Sequence, residues 1–186
     1  MNRALDLLLL VLILPLVAPS ICVIYFLILF SSGSPVLYWS KRFGKDKKFF
    51  LMPKFRTMRM EAPEVATDEL ASPSQYFLRF GGFLRKTSLD ELPQLYSILT
   101  GRMRFVGPRP ALHSQLDLIA LRESKNVHNL VPGLTGWAQI NGRDENSNQT
   151  KVYYDVEYSK KRSIRFDVTI LGLTLIKVFR SEGVKS

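Results

Sequence analysis

From Leu5 to Phe30 nearly every residue is apolar, and no later stretch matches that density. As a helix the run would be about 39 Å long, enough to cross a bilayer. Arg3 precedes it as the n-region of a signal peptide would, but the run is too long for an h-region. Pro19-Ser20-Ile21 ahead of Cys22 makes a poor lipoprotein cleavage site. Composition alone suits a single-pass anchor. Two features favour another course. Pro15 and Pro19 fall inside the run, where each removes a helical hydrogen bond and bends the axis. Both flanks are basic: Arg3 before, then Lys41, Arg42, Lys45, Lys47 and Lys48 after. Cationic flanks prefer the cytoplasmic side. The pattern therefore predicts a broken, re-entrant helix within residues 1–35, with its helix break at Pro19, entering and leaving through one leaflet. Residues 36–186 would form a domain on that face.

Beyond the turn at Ser31 to Pro35 the apolar positions become intermittent. Val36 to Trp39 reads as a short strand or an interfacial aromatic pair. Lys41 to Lys48 reads as a solvated basic loop against acidic headgroups. Phe55 and Met58 alternate with cations, as in a strand or a membrane-surface segment. Glu61 to Gln75 is a polar excursion with two prolines. Tyr76 to Lys86 regains apolar periodicity, interrupted by Gly81-Gly82. A helix opening near Asp90 carries Leu92, Leu95, Tyr96, Ile98 and Leu99, and Gly101 is placed to stop it. Ile164 to Phe179 is a further helix, too polar to span comfortably, that packs on the core or lies in the interface.

Charge narrows the partner. The 186 residues carry a formal net charge of +10, with a pI near 9.9. That balance implies an acidic partner: nucleic acid, anionic lipid or a phosphorylated substrate. Cys22 is the single cysteine, which excludes an intrachain disulfide and a cysteine-based metal site. His113 and His128 have no His or Cys neighbour at metal-ligand spacing.

Three polar clusters carry candidate chemistry. In Ser88-Leu89-Asp90-Glu91-Leu92-Pro93-Gln94-Leu95 two adjacent acids follow the cations Arg85 and Lys86. Ser88 and Glu91 fit a capping box. Pro93 favours a later start, with Asp90 as the cap and Pro93 in the first turn. The same acids beside cations are a place to bind Mg²⁺ and attack phosphorus. In Phe105-Val106-Gly107-Pro108-Arg109-Pro110 two prolines restrict the backbone around Arg109, whose guanidinium suits bidentate phosphate binding. The loop from Pro132 to Asp144 holds Gly133 and Gly136, spaced as in a phosphate nest or an ordinary turn. It also holds Trp137, a core or interfacial residue, and Gln139 and Asn141, which suit a base or sugar. Asn141-Gly142 reads as a hairpin-type turn, with Arg143 directly after it.

These three motifs, in this order, resemble the bacterial sugar transferase family, the monotopic polyprenyl-phosphate phosphoglycosyl transferases. The resemblance covers essentially the whole chain. It implies a mixed α/β, predominantly helical fold: a small membrane-associated catalytic domain with a re-entrant N-terminal helix and interfacial amphipathic helices, on the cytoplasmic face of the bacterial inner membrane. It implies transfer of a sugar 1-phosphate from a UDP-sugar to undecaprenyl phosphate with release of UMP and with Mg²⁺, the first membrane step of surface glycan assembly. Asp90 then takes the place of the family's nucleophile, which forms a covalent aspartyl-phosphosugar ester, and Glu91 that of its acidic neighbour. Both become candidate metal ligands. Arg85 and Arg109 become candidate phosphate ligands, and Arg143 a candidate nucleotide or diphosphate ligand. The stretch from Glu61 to Asp144 is most similar to capsule-type members that use 6-deoxy-N-acetylhexosamines.

The chain departs from the family pattern at Ala18-Pro19, where Ser-Pro is common, at Phe43, and at Glu157, where relatives have tyrosine. None of these touches the acid pair. The rival reading is a membrane-tethered basic protein that binds nucleic acid or anionic lipid. Its aromatics, however, sit in apolar contexts rather than on a stacking platform, which favours no nucleic acid as partner. A non-catalytic scaffold would leave the three polar clusters unexplained.

Overall fold

The computed structural model describes residues 2–63, 65, 72–142 and 146–180. The fold is mixed α/β and predominantly helical. Helix α1 (Arg3–Ser32) is capped by Asn2, whose side-chain oxygen accepts the Leu5 N–H at 3.0 Å. It continues through Pro15 and Pro19 and ends at Gly33, which adopts φ 69°. Its length and composition would suffice to cross a membrane.

Strands β1 (Leu37–Phe43) and β2 (Phe49–Phe55) form an antiparallel hairpin in which Ser40 faces Met52 and Lys41 faces Leu51. The basic stretch is thus not a solvated loop throughout. Lys41 and Arg42 belong to β1, and only Gly44 to Lys48 makes the turn. The period of two puts Trp39, Lys41, Phe49 and Leu51 on an exposed face and Ser40, Phe50 and Met52 inward. A cation on the open face costs the hairpin nothing, which is why a charge-rich segment pairs here.

Helix α2 (Gly81–Lys86) begins at the Gly81-Gly82 pair rather than being interrupted by it. A Cβ on Gly81 would lie 2.0 Å from the Thr57 carbonyl oxygen, so only glycine admits this approach. A 3₁₀ turn (Leu89–Gln94) leads into α3 (Leu95–Leu99). Gly101, at φ 78°, follows the end of α3, as the sequence predicts.

Strands β3 (Arg104–Val106) and β4 (Gly133–Thr135) pair in parallel. The crossover between them contains α4 (Leu116–Ser124). Then come α5 (Trp137–Ile140), α6 (Asn148–Lys161) and α7 (Ile164–Arg180). Asn141 closes α5 instead of making a hairpin turn.

Both halves of α1 join the core. Leu10 packs with Ile98, Met103, Phe105 and Ile170, whereas Ile24 and Ile28 pack with Val36, Phe55 and Leu84. Polar contacts fix both ends. The Arg3 guanidinium donates to the Ile98 and Leu99 carbonyls. Asp6, wholly buried, accepts from Arg104 at 2.9 Å and from the Phe105 N–H at 3.2 Å. At the far end Arg56 donates to the Ser32 and Gly33 carbonyls at 2.7 Å each, closing the helix C-terminus with a cation.

Candidate active site

The acid pair lies in the first turn of the 3₁₀ helix, directly behind Ser88, whose left-handed backbone (φ 57°) turns the chain inward. Asp90 is not the cap, and the expected capping box does not form: Ser88 makes no side-chain cap bond. The Glu91 N–H donates to the Ser88 carbonyl at 3.1 Å instead of to the Ser88 hydroxyl, and the Glu91 side chain is engaged elsewhere. Its carboxylate is drawn into the protein by two cations and is not free to return to the helix start. Arg109 forks onto it, with Nη2 at 2.6 Å from Oε1 and Nη1 at 3.4 Å from Oε2. Lys54 Nζ reaches the same Oε1 at 2.9 Å and lies 3.8 Å from Asp90 Oδ2.

Asp90 is 5% and Glu91 8% exposed. Burial pushes the Asp90 carboxyl above the usual carboxylate range. The Lys54 ammonium is the strongest opposing influence, the Glu91 charge adds to the rise, and Arg85 and Arg109 pull it down. Burial pushes the Lys54 ammonium below its ordinary value, while Glu91 and then Asp90 hold it up. Lys54 and the acids thus oppose, each for the other, the effect of burial on charge.

These groups open onto a cleft of about 420 Å³. Arg42, Lys54, Arg56, Arg59, Arg85, Arg109, Arg122 and Lys151 line it, and Asp90 and Glu91 are the acids among its described lining. Arg85 lies 5.6 Å above the Phe77 ring, with Nη1 3.9 Å from Met58 Sδ. Arg42 donates to the Pro110 carbonyl at 3.1 Å. Such a cleft suits a ligand with several negative charges, presented to a buried carboxylate.

Of the residues singled out from sequence, Asp90, Glu91, Arg85, Arg109 and Gln139 converge here. Gln139 donates to the Leu134 carbonyl at 3.0 Å, and its buried Oε1 has no partner among the described residues, leaving an acceptor in the cleft wall. Asn141 does not line the cleft; its amide donates to the Trp137 carbonyl at 2.8 Å. Arg143 lies outside the described residues. Pro19 sits within α1.

Gly133 and Gly136 do not form a separate nest. A Cβ on either would lie 2.1 Å from the Gly107 backbone, so these glycines let two loops touch main chain to main chain. That contact seats the segment carrying Arg109. Trp137 is half-buried between Phe166 and Tyr154, and its indole N–H donates to Glu157 at 2.8 Å.

Lys54 is the site residue that sequence reasoning overlooks. Its signal is the strand period: Phe50, Met52 and Lys54 share one face of β2, and a lysine on the buried face of a strand needs a carboxylate.

Two carboxylates facing an open cleft also fit Mg²⁺, which binds through one or two protein carboxylates together with substrate phosphates and water. No cluster of three or more metal-ligating acidic, His or Cys side chains occurs among the described residues, so the protein alone supplies no closed metal cage.

Residues 1–181 match the model of the family described as bacterial sugar transferase. The chain is 38% identical over 186 residues to the UDP-glucose:undecaprenyl-phosphate glucose-1-phosphate transferase of Escherichia coli K12, covering 96% of this chain and 40% of that protein. It is 41% identical over 153 residues to the uncharacterized sugar transferase EpsL of Bacillus subtilis 168, covering 82% of this chain and 74% of EpsL. It is 33% identical over 201 residues to the undecaprenyl-phosphate galactose phosphotransferase of Salmonella typhimurium LT2, covering 98% of this chain and 41% of that enzyme. The chain thus spans about two fifths of two of these relatives and about three quarters of the third. With the acid pair and Arg109 of the Pro-Arg-Pro segment assembled around one cleft, the chain belongs to the bacterial sugar transferase family.

Proposed function

We propose that the chain transfers a sugar 1-phosphate from a UDP-sugar to undecaprenyl phosphate, releasing UMP. The observation that carries this reading is the buried acid pair in an otherwise cationic cleft. The cations suit a diphosphate, and the acid supplies a nucleophile that they alone would lack. The names of the Escherichia coli and Salmonella relatives supply the donor and acceptor classes.

Asp90 attacks the sugar-bearing phosphorus. The bond from that phosphorus to the oxygen bridging the two phosphates breaks, and UMP leaves with the bridging oxygen. The resulting aspartyl phosphosugar is an acyl phosphate. An oxygen of undecaprenyl phosphate then attacks the same phosphorus, the bond to Asp90 breaks, and the carboxylate is regenerated. Arg109 and Arg85 hold phosphate oxygens, and Lys54 keeps Asp90 ionised before attack. Asp90 and Glu91 are the residues that would hold Mg²⁺, which would offset the diphosphate charge that otherwise repels the nucleophile. The test is a panel of UDP-glucose, UDP-galactose and UDP-linked 6-deoxy-N-acetylhexosamines scored for UMP release with undecaprenyl phosphate. Release with none of them would refute the reading.

The same chemistry sets a pH dependence. Attack requires ionised Asp90, whose pKa lies above its ordinary value, so the rate falls as pH drops through that raised pKa. Lys54→Met removes the strongest downward influence on it. The acid limb of kcat/KM is expected to move to higher pH, and turnover at pH 7 to fall on the order of 100-fold. An unmoved limb in a folded variant would show that Lys54 does not tune Asp90.

We further propose that α1 enters and leaves through the cytoplasmic leaflet of the bacterial inner membrane. Support comes from its two ends, which bind the same body through Arg3 and Asp6 at one and Ser32 and Gly33 at the other. Between them Leu12, Leu16, Val23 and Phe26 are exposed and apolar, as a lipid-facing segment requires. Tags placed at residue 1 and at the C-terminus should both be inaccessible from outside intact cells; labelling of the N-terminal tag from outside would exclude this topology.

A further inference from the structure

A buried ion pair stands at the wall of the same cleft, away from the acid pair itself. Arg122 of α4 is 9% exposed and Asp155 of α6 is 2% exposed. Arg122 Nε and Nη2 lie 2.9 and 2.7 Å from Asp155 Oδ2. The remaining arm, Nη1, donates to the main-chain carbonyl of Arg109 at 2.7 Å. Arg109 in turn forks onto Glu91. One guanidinium therefore links a buried carboxylate to the backbone of the residue whose side chain faces the acid pair.

Burial pushes the Asp155 carboxyl up, and Arg122 is what opposes it. The pair is costly to desolvate, and its attraction alone only roughly repays that cost. A buried pair that also holds a functional backbone has a further use. Pro108 and Pro110 restrict the chain on either side of Arg109, and Arg42 holds the next carbonyl, that of Pro110. The Arg122 bond fixes the one carbonyl between the two prolines.

We infer that Arg122, held by Asp155, is a positioning residue. It sets the Pro-Arg-Pro backbone so that Arg109 meets Glu91 and the substrate diphosphate, an inference that rests on the proposed transfer reaction. The role needs a planar fork: two arms on the carboxylate and a third on the carbonyl. A lysine keeps the charge beside Asp155 but cannot serve both partners in that geometry.

The test is a double-mutant cycle with Arg122→Lys and Arg109→Lys, read as kcat/KM for UMP release and as amide hydrogen exchange in peptides covering residues 105–116. Arg122→Lys is expected to lower kcat/KM about 10-fold to 100-fold and to speed exchange in that segment, with exchange in the β1–β2 hairpin unchanged. In the Arg109→Lys background the same substitution should cost less than about 3-fold, because its route of action is gone. Multiplying losses would overturn the inference, since Arg122 would then act on substrate or fold independently of Arg109. Unchanged exchange at 105–116 would overturn it as well. If the wild-type chain releases no UMP, the reaction assignment fails while the exchange measurement still decides whether Arg122 fixes the loop.

Discussion

Asp90→Asn is expected to lower UMP release at least about 1,000-fold and to leave no radiolabel on the protein after incubation with a labelled UDP-sugar. Asparagine has nearly the shape of aspartate, so the 5%-exposed position stays filled. Glu91 keeps its bonds to Arg109 and Lys54, because neither passes through residue 90. What is lost is the carboxylate oxygen that the proposed reaction uses to attack phosphorus; an amide oxygen cannot form the acyl phosphate. Glu91 offers no easy replacement, since both of its oxygens are already engaged by Arg109. Wild-type protein should carry label that acid-stable ester chemistry does not explain and that hydroxylamine removes. Unimpaired turnover in Asp90→Asn would assign the nucleophile elsewhere.

The second large effect falls on stability. Asp6→Ala is expected to destabilise the fold by roughly 3–5 kcal/mol, because removing one member of a buried pair leaves its partners unsatisfied. Here the partners are the Arg104 guanidinium and the Phe105 N–H, both bonded to Asp6. For a chain of this size that corresponds to a melting temperature lower by roughly 6–20 °C, measured in lipid nanodiscs. Arg104→Ala should cost at least as much, because it leaves the wholly buried Asp6 without its cation, whereas the Arg104 orphaned by Asp6→Ala is 28% exposed at its side chain and can turn toward water. A much smaller loss in Arg104→Ala would mean that the Phe105 N–H alone suffices to hold Asp6 in the interior.

The acid pair and the Pro-Arg-Pro segment were legible because their chemistry is local: the informative residues are neighbours in the chain. The partners that give them meaning are not. Lys54 and Glu91 are 37 residues apart, Arg122 and Asp155 33, and Asp6 and Arg104 98. No periodicity in a single sequence connects such positions. The β1–β2 hairpin was obscured for a different reason. Lys41 faces out and lies 4.4 Å over the Phe49 ring, so its charge describes the exposed face and says little about backbone pairing. Gly133 and Gly136 had the spacing of a phosphate nest, but what they meet is the Gly107 main chain, which spacing does not encode.

The two ends of α1 also differ in time. The Ser32 and Gly33 carbonyls find Arg56 only 24 and 23 residues later, whereas Asp6 must await Arg104, 98 residues on. At ordinary rates of synthesis that second partner emerges about 5–20 s after the first residues of the helix. Throughout that interval a long apolar helix carries an acidic residue in its first turn with no partner yet made. The membrane surface, where that carboxylate can stay hydrated while the leucines behind it enter lipid, is the environment that tolerates both. Seating in lipid should therefore precede assembly of the cleft, and a ribosome stalled before residue 104 should already hold α1 at the membrane with its N-terminal end still undocked.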